Sequence, residues 1–596
     1  MPEGGRGPRG LRSEVVNNIR IDWDVPIVMD DGLILRANVY RPDDETGRFP
    51  VILSHGPYGK DLAWQDGYPT VWKVFSEGHP EAVAGSTNVH QSWEVLDPEK
   101  WVPDGYVLVR VDSRGAGRSP GRIDHWSPRE TKDFYDCIEW AGVQNWSNGK
   151  VGLSGISYYA VNQWQVAAMK PPHLAAICPW EGFNDFYREL SHHGGIQTSF
   201  MAHWYDLQIK IIQHGLGKRG FKSRVNGELA SGPGELTDAE LAKNRADLAA
   251  DYTTHALDDD FYRARTPDLS QIDVPLLSCA NWGGQPLHPR GNYMGYMNAR
   301  SKQKWLECHG LEHWTHFYTP YGQALQKQFF DYFLKGAKNG WARRPKVMLQ
   351  VRSPGEKFVA RGENEWPLKR TKWTKAYLDA GSATLDRKAP AKAAKVAYKG
   401  QSSDGVTFML PPAAEDTELT GPFAAKLFVS SSTADADLFL VVRLFSPDMT
   451  EVTFKGTVDP HTPIAQGWLR ASHRKLDKKK SKPWQPWHTH DEKQPLTPDR
   501  VYELDVEIHP TCIVVPAGYR LALTVRGKDY VWPGAKDTAD QVRLSNFAKP
   551  LTGCGPFLHD IEDDRPAKVY DGTVTIHTGG KRASYLLLPV IPGRRK

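Results

Sequence analysis

The stretch Lys150-Val-Gly-Leu-Ser-Gly-Ile-Ser-Tyr-Tyr-Ala-Val-Asn-Gln-Trp-Gln runs an apolar strand into a helix-forming segment. The strand ends at Ser154-Gly155, and the helix begins near Ser157 and continues towards Lys170. A serine on such a sharp turn lifts its hydroxyl above the sheet and leaves the next backbone N–H free for an oxyanion. That is the equipment of acyl transfer, with the serine as nucleophile. The pattern departs from plain Gly-x-Ser-x-Gly: Tyr159 fills the last glycine position, and the small residue comes one later, as Ala160. A helix N-cap serine has the same tripeptide, so Gly-x-Ser alone does not separate the two readings.

A nucleophilic serine needs a base, and histidines concentrate in Trp305-Leu-Glu-Cys-His-Gly-Leu-Glu-His-Trp-Thr-His, which offers His309, His313 and His316. Gaps of four and three residues also suit a metal site. No cysteine stands at ligand spacing, however, and no convincing carboxylate does, so neither a metal nor an organic cofactor is expected.

The elements that must position these residues alternate. A hairpin over residues 27–42 turns at Asp31-Gly32. Apolar runs follow at Val51–Leu53, Val107–Val111, Val151–Leu153, Leu174–Cys178, Val274–Cys279 and Lys304–Cys308, with helical stretches between them. Strands alternating with helices imply a mostly parallel sheet covered on both faces. The rhythm stops between about Phe183 and Thr266, which reads as an inserted helical cap, and it resumes through a helix at 321–335 ended by Gly336. Beyond residue 345, period-2 strands separated by Pro, Gly and Asp predict a β-sandwich or jelly roll. The expected division is an α/β domain in two parts (1–182 and 267–344), a cap (183–266) and a β domain (345–596).

Composition narrows the function. At 596 residues the chain exceeds one hydrophobic core. A net charge of +5 is small for this length and argues against nucleic acid as a partner. The Lys475–Lys482 run reads as a solvated loop. The first ten residues hold no apolar run of the secretory kind, and no stretch suits a membrane span. Six cysteines in so long a chain are no disulfide framework, which fits a reducing cytoplasm. The expected partner is a small-molecule ester or amide, with room left for a homo-oligomer.

Several segments, in order, resemble the family of bacterial cocaine esterase, α-amino-acid ester hydrolases and X-Pro dipeptidyl-peptidases. They are Met29-x-Asp-Gly-x-x-Leu with Val39-Tyr-Arg-Pro, Gly56-Pro-Tyr-Gly-Lys, Val111-Asp-Ser-Arg-Gly-Ala-Gly-Arg-Ser-Pro-Gly, Trp146-Ser-Asn-Gly-Lys-Val-Gly, and Gly155-Ile-Ser-Tyr with Gln163-Trp164. The resemblance covers nearly the whole chain and implies an α/β-hydrolase fold with a cap and a jelly-roll C-terminal domain. It maps the nucleophile onto Ser157 and the oxyanion donors onto the Tyr158 backbone N–H and the Tyr58 hydroxyl. The family's histidine closes a Gly-Pro-Trp-Ser/Thr-His turn, which Trp314-Thr315-His316 matches at its end, so His316 is the first choice of base and His313 the second.

The third member of the triad breaks the resemblance. Relatives carry an aspartate after the preceding strand, whereas Ala280-Asn-Trp-Gly-Gly-Gln-Pro puts Gly284 there. A serine hydrolase still needs an acceptor to steady its base. Glu181, just after the strand Leu174–Cys178, is the preferred substitute, with Asp185 next and Glu312 facing His316 only in a helical turn. Asp112 reads as a structural residue tied to Arg114, and His488 and His490 as a surface loop. Trp164 and the cap aromatics Tyr187, Phe200, Trp204 and Tyr205 are candidates to shape a pocket for an apolar or aromatic acyl group. The expectation is a serine carboxylesterase forming a Ser157 acyl-enzyme, with an X-Pro peptidase or amino-ester hydrolase as the alternative. The rival from another class is a non-catalytic binding protein on the same frame.

Overall fold

A computed structural model describes residues 12–534 and 553–593. The first half is built on one sheet. In chain order its strands are β1 (Ile19–Val28), β2 (Ile34–Pro42), β3 (Phe49–Gly56), β4 (Val107–Asp112), β5 (Ser147–Ile156), β6 (Leu174–Trp180), β7 (Leu276–Asn281), β8 (Lys304–His309) and β9 (Val347–Ser353). Their spatial order is 1-2-4-3-5-6-7-8-9. β1, β2 and β4 pair antiparallel, and every pairing from β4 through β9 is parallel. This is the α/β-hydrolase arrangement expected from the sequence, and each predicted apolar run contributes to one of these strands. β4 and β7 are buried along their whole length, which is why they read as unbroken apolar runs rather than alternating ones.

Helices cover both faces. In α1 (Pro128–Gly142), Ser127 caps the first turn by accepting from the Glu130 N–H, Pro128 opens the helix, and Phe134, Ile138 and Ala141 form the buried stripe. α2 (Tyr158–Ala168) is buried nearly all round and has no polar face to show. Between β6 and β7 the chain leaves the sheet as short helical turns, among them α3 (Phe200–Trp204), joined by irregular backbone. α4 (Pro289–Asn298) follows β7. α5 (Pro320–Leu334) carries the stripe of Leu325, Phe329 and Leu334, with Gly336 left-handed just beyond (φ 72°).

The second half is β-rich. β10 (Thr417–Ser431), β13 (Tyr502–Val515) and β16 (Tyr585–Ile591) pair antiparallel on one side, with β15 (Thr573–Thr578) also against β10. β11 (Asp437–Phe445), β12 (Ala465–Arg470) and β14 (Arg520–Arg526) pair on the other. Leu427, Leu504 and Leu586 from the first group share a core with Leu440, Leu469 and Leu523 from the second. A bridge between Arg352 and Ile513 joins β9 to β13, and so one half of the chain to the other. All six cysteines are buried and unpaired. Among the described residues no helix is long and apolar enough to cross a membrane.

Candidate active site

Ser157 lies between β5 and α2 with φ 55° and ψ −112°, a backbone conformation that costs about 1–3 kcal/mol in a non-glycine residue. The turn is pinned from both sides. The Ser157 N–H donates to the Trp180 carbonyl (3.0 Å), and the Ser157 carbonyl accepts from the N–H groups of Ala160 (2.9 Å) and Val161 (2.8 Å). The departure from Gly-x-Ser-x-Gly has a packing reason. A Cβ at Gly155 would meet the Tyr159 Cβ at 2.4 Å, and one at Gly56 would meet the Tyr159 ring at 2.6 Å. Two glycines therefore make room for the tyrosine where other chains place a third. One residue on, Ala160 stays small because Gly182 packs against it.

The histidine at this serine is His288. Its Nε2 lies 3.1 Å from Ser157 Oγ, and it occupies the residue before α4, just past β7. His316 is not there, which corrects the expected base. Its ring sits edge-on to His309 (5.3 Å) and Tyr321 (5.7 Å), neither ring nitrogen has a hydrogen-bond partner among the described residues, and burial with the nearby His309 charge pulls its pKa down to about 3. The loop is oriented by Trp314, whose indole packs on Trp64 and Trp93 and leaves His313, rather than His316, at the cavity.

His313 does not touch the serine either. Its ring stacks parallel to that of His288, with centroids 5.3 Å apart and planes within 8°. Its Nδ1 donates to Glu181 Oε2 (2.7 Å) and its Nε2 to Glu94 Oε1 (3.1 Å). Burial alone would lower the imidazole's pKa, but the charge of Glu181 and the bonds to both carboxylates raise it to about 10. His288 goes the other way: burial, then the His313 charge, hold it well below the ordinary histidine value, so it is neutral and competent as a base.

Glu181 sits at the top of β6 with φ 49°, its N–H donating to the Cys279 carbonyl. Burial would raise its carboxyl. The charge of His313 and the bonds from His309 (3.2 Å) and His313 outweigh this and bring it to about 2. It therefore serves His313, not the histidine on the serine. Asp185 instead caps the turn at Phe186 and pairs with Arg188, and Glu312 pairs with His79 and Lys455.

Gly284 also has a structural reason. A loop of the β domain presses on this turn: the Thr457 N–H donates to the Gly283 carbonyl (3.1 Å), and the Thr457 carbonyl accepts from the His313 N–H (2.9 Å). A Cβ at Gly283 would stand 2.5 Å from Gly456 Cα, and one at Gly284 would stand 3.1 Å from Thr457 Oγ1. Thr457 occupies the space that a longer side chain at 284 would fill.

The two expected oxyanion donors belong to neighbouring residues, the rings of Tyr58 and Tyr158 lying 5.9 Å apart. Tyr158 opens α2, so its N–H has no acceptor within the helix. Its side chain turns away, donating to Glu130. The Tyr58 hydroxyl accepts from Trp204 Nε1 (3.2 Å) and keeps its own proton free to donate. The cavity is about 100 Å³ and mostly apolar, with Tyr58 and Trp126 from the α/β half, Phe183, Phe200 and Trp204 from the cap, and Val458 and Phe557 from the β domain. Three expected wall residues lie elsewhere, among them Tyr205, whose ring packs edge-on against His125. Trp164 is core, wedged against Gly295 with its indole N–H on the Gly182 carbonyl (3.2 Å). Tyr187 stacks on His192 and donates to the Ala256 carbonyl.

Asp112 is structural, but its partners are the N–H groups of Lys60 and Arg118, while Arg114 pairs with Asp133. His488 and His490 are not on the surface. They are buried beside Arg188, Arg290 and Glu507 in a second, polar cavity. Sequence reasoning missed His288 and Glu94. The signal for His288 was available: a histidine just past a strand and directly before a proline that starts a helix.

Comparison with known proteins agrees with this architecture. Residues 31–318 match the model of the X-Pro dipeptidyl-peptidase (S15 family), and residues 339–587 that of the X-Pro dipeptidyl-peptidase C-terminal non-catalytic domain. A crystal structure of a CocE/NonD family hydrolase from Staphylococcus aureus is 33% identical, with a TM-score of 0.81, over 96% of this chain and 94% of that one. The cocaine esterase of Rhodococcus sp. is 25% identical over 97% of this chain and its own full length. An α-amino acid ester hydrolase, 17% identical over 96% of this chain and 97% of its own, shares the fold with a TM-score of 0.66. With this likeness running through both halves, the chain belongs to the CocE/NonD family of serine hydrolases.

Proposed function

We propose that the chain hydrolyses small esters with a neutral, apolar acyl group through a covalent intermediate on Ser157, in a reducing compartment. The observation that carries this is the Ser157 hydroxyl on a left-handed turn, 3.1 Å from a neutral His288, at the floor of an aromatic cavity. His288 Nε2 takes the serine proton as Oγ attacks the carbonyl carbon. The Tyr158 N–H and the Tyr58 hydroxyl meet the oxyanion. The tetrahedral intermediate then expels the alcohol, which leaves with the proton held by His288. Water, deprotonated by the same nitrogen, attacks the acyl-enzyme and releases the acid.

Amide and X-Pro substrates would use the same steps, and relatives bear the peptidase name. Recognition of a substrate ammonium needs an ionised carboxylate, and Glu94, the acidic residue that lines the cavity, gives Oε1 to His313 and is pushed up to about 7 by burial, which favours esters. Turnover of a panel of p-nitrophenyl esters against X-Pro anilides tests the choice, and faster anilide cleavage would reverse it. A fluorophosphonate probe tests the class. Labelling that disappears in Ser157→Ala is expected, while folded protein that never labels would point to a non-catalytic binder.

A further inference from the structure

His288 has an unusual deficit for a base: its Nδ1 is buried without a hydrogen-bond partner among the described residues. No carboxylate holds the tautomer or answers the positive charge that forms when Nε2 takes the serine proton. The face of the ring, however, lies on one end of a buried chain. Glu307 Oε2 accepts from His309 Nδ1 (2.6 Å), His309 Nε2 donates to Glu181 Oε1 (3.2 Å), Glu181 Oε2 accepts from His313 Nδ1 (2.7 Å), and His313 Nε2 donates to Glu94 Oε1 (3.1 Å). Carboxylate and imidazole alternate through five residues, and the last, Glu94, lines the cavity beside Ser157. Glu94 is also held in the left-handed region (φ 62°), while its carbonyl accepts from the Ile156 N–H, one residue before the nucleophile.

We propose that Glu94 and His313 are positioning residues for catalysis: the carboxylates of the chain offset the charge of the stacked His313 ring, which otherwise opposes a cation on His288, and so do from behind that ring what a triad carboxylate does through a hydrogen bond. The proposal rests on the reading of His288 as the base. With both imidazoles protonated and all three carboxylates ionised, the chain carries one net negative charge. With Glu94 protonated it carries none. The ionisation of Glu94 therefore decides whether the stacked chain opposes or favours a cationic His288.

The groups facing Glu94 are His313 and Glu181 together with the phenols of Tyr58, Tyr68, Tyr159 and Tyr318, whose pKa values are raised above the ordinary value by burial and which stay neutral. Burial raises Glu94 itself to about 7, against the bond and charge of His313. The rate should therefore climb as pH passes through this value, a limb belonging to a carboxyl bonded to His313 rather than to Ser157 or His288.

The test is steady-state hydrolysis of a p-nitrophenyl ester from about pH 5 to 9 by wild type, Glu94→Gln, Glu94→Asp and His288→Gln. In Glu94→Gln, kcat is expected to fall about ten- to a hundred-fold with KM nearly unchanged, and the limb near neutrality to vanish. Glu94→Asp is expected to retain a limb and recover part of the rate. Wild-type kcat and an unaltered limb in Glu94→Gln overturn the proposal. If that variant does not fold, a Glu94→Asp profile identical to wild type does the same. His288→Gln separates the two ideas: wild-type turnover there refutes the base itself, whereas loss there with an unaltered Glu94→Gln refutes only the stacked chain.

Discussion

Four residues that line or support the cavity, Ser157, Glu94, Trp126 and Glu181, have left-handed backbones without being glycines, with φ between 49° and 62°. Each costs about 1–3 kcal/mol, so together they mark a place that the rest of the fold holds against its own preference. Strain of this kind aims side chains: it lifts the serine hydroxyl, turns Glu181 to one edge of the His313 ring and brings Glu94 to the opposite edge. Two histidines compete on paper for the role of base, and they respond oppositely to substitution. His288→Gln should lower kcat by about 10³–10⁴-fold, as loss of a triad member does. His316→Gln should stay within about three-fold, because that ring meets neither the serine nor the cavity. Steady-state kinetics of the two variants decides, and a collapse of activity in His316→Gln would return the base to the position the family turn suggests.

Among the elements, the loop at Lys455–Asp459 reaches the site from the other half of the chain. It fills the space beside Gly283 and Gly284 and fixes the His313 backbone. A Cβ at Gly456 would stand 2.2 Å from Thr462 Cγ2 and 2.7 Å from the Gly283 carbonyl. Gly456→Ala should therefore cost about 1–3 kcal/mol of stability, measured by denaturant unfolding, and should lower kcat by displacing His313. Full activity in that variant would show that the loop merely rests there. This loop also explains what the sequence did and did not disclose. The strands themselves and Ser157 were legible, because apolar runs, their spacing and a strand-to-helix serine are local signals. For His288 the sequence held only a local hint, because its value comes from meeting a serine 131 residues before it. Glu94 lies on irregular backbone between α/β elements with no motif around it. Gly284 read as a missing acid when it is a small residue making way for Thr457. The histidine turn was found, but which of its members faced inward depended on Trp314 meeting Trp64 and Trp93, which no spacing reveals.

For the whole molecule, pH acts on a second place as well. His192 and His193 of the cap meet His473, His488, His490 and His509 of the β domain, beside Arg188, Arg290 and Arg470, and all six rings are buried. Burial depresses them, His488 and His509 to about 4 and His473 to about 3. A histidine whose folded pKa is lowered binds its proton more readily unfolded, so its penalty is absent above about pH 6.5 and grows as pH falls towards 4. Hydrogen exchange at 186–197 and 466–473, corrected for intrinsic rates, should show lost protection between about pH 7 and 4.5 ahead of the central strands. Unchanged protection would mean that the seam tolerates those charges.

The aromatic cavity has a consequence for how such chains diversify. Phe200 from the cap and Phe557 from the far end of the β domain face each other at 4.8 Å above a serine carried by neither. Exchanging one module for that of a cousin would leave an unmatched half of the wall. New acyl preferences should therefore arise through paired changes scattered along the chain, and seldom by recombination of intact parts.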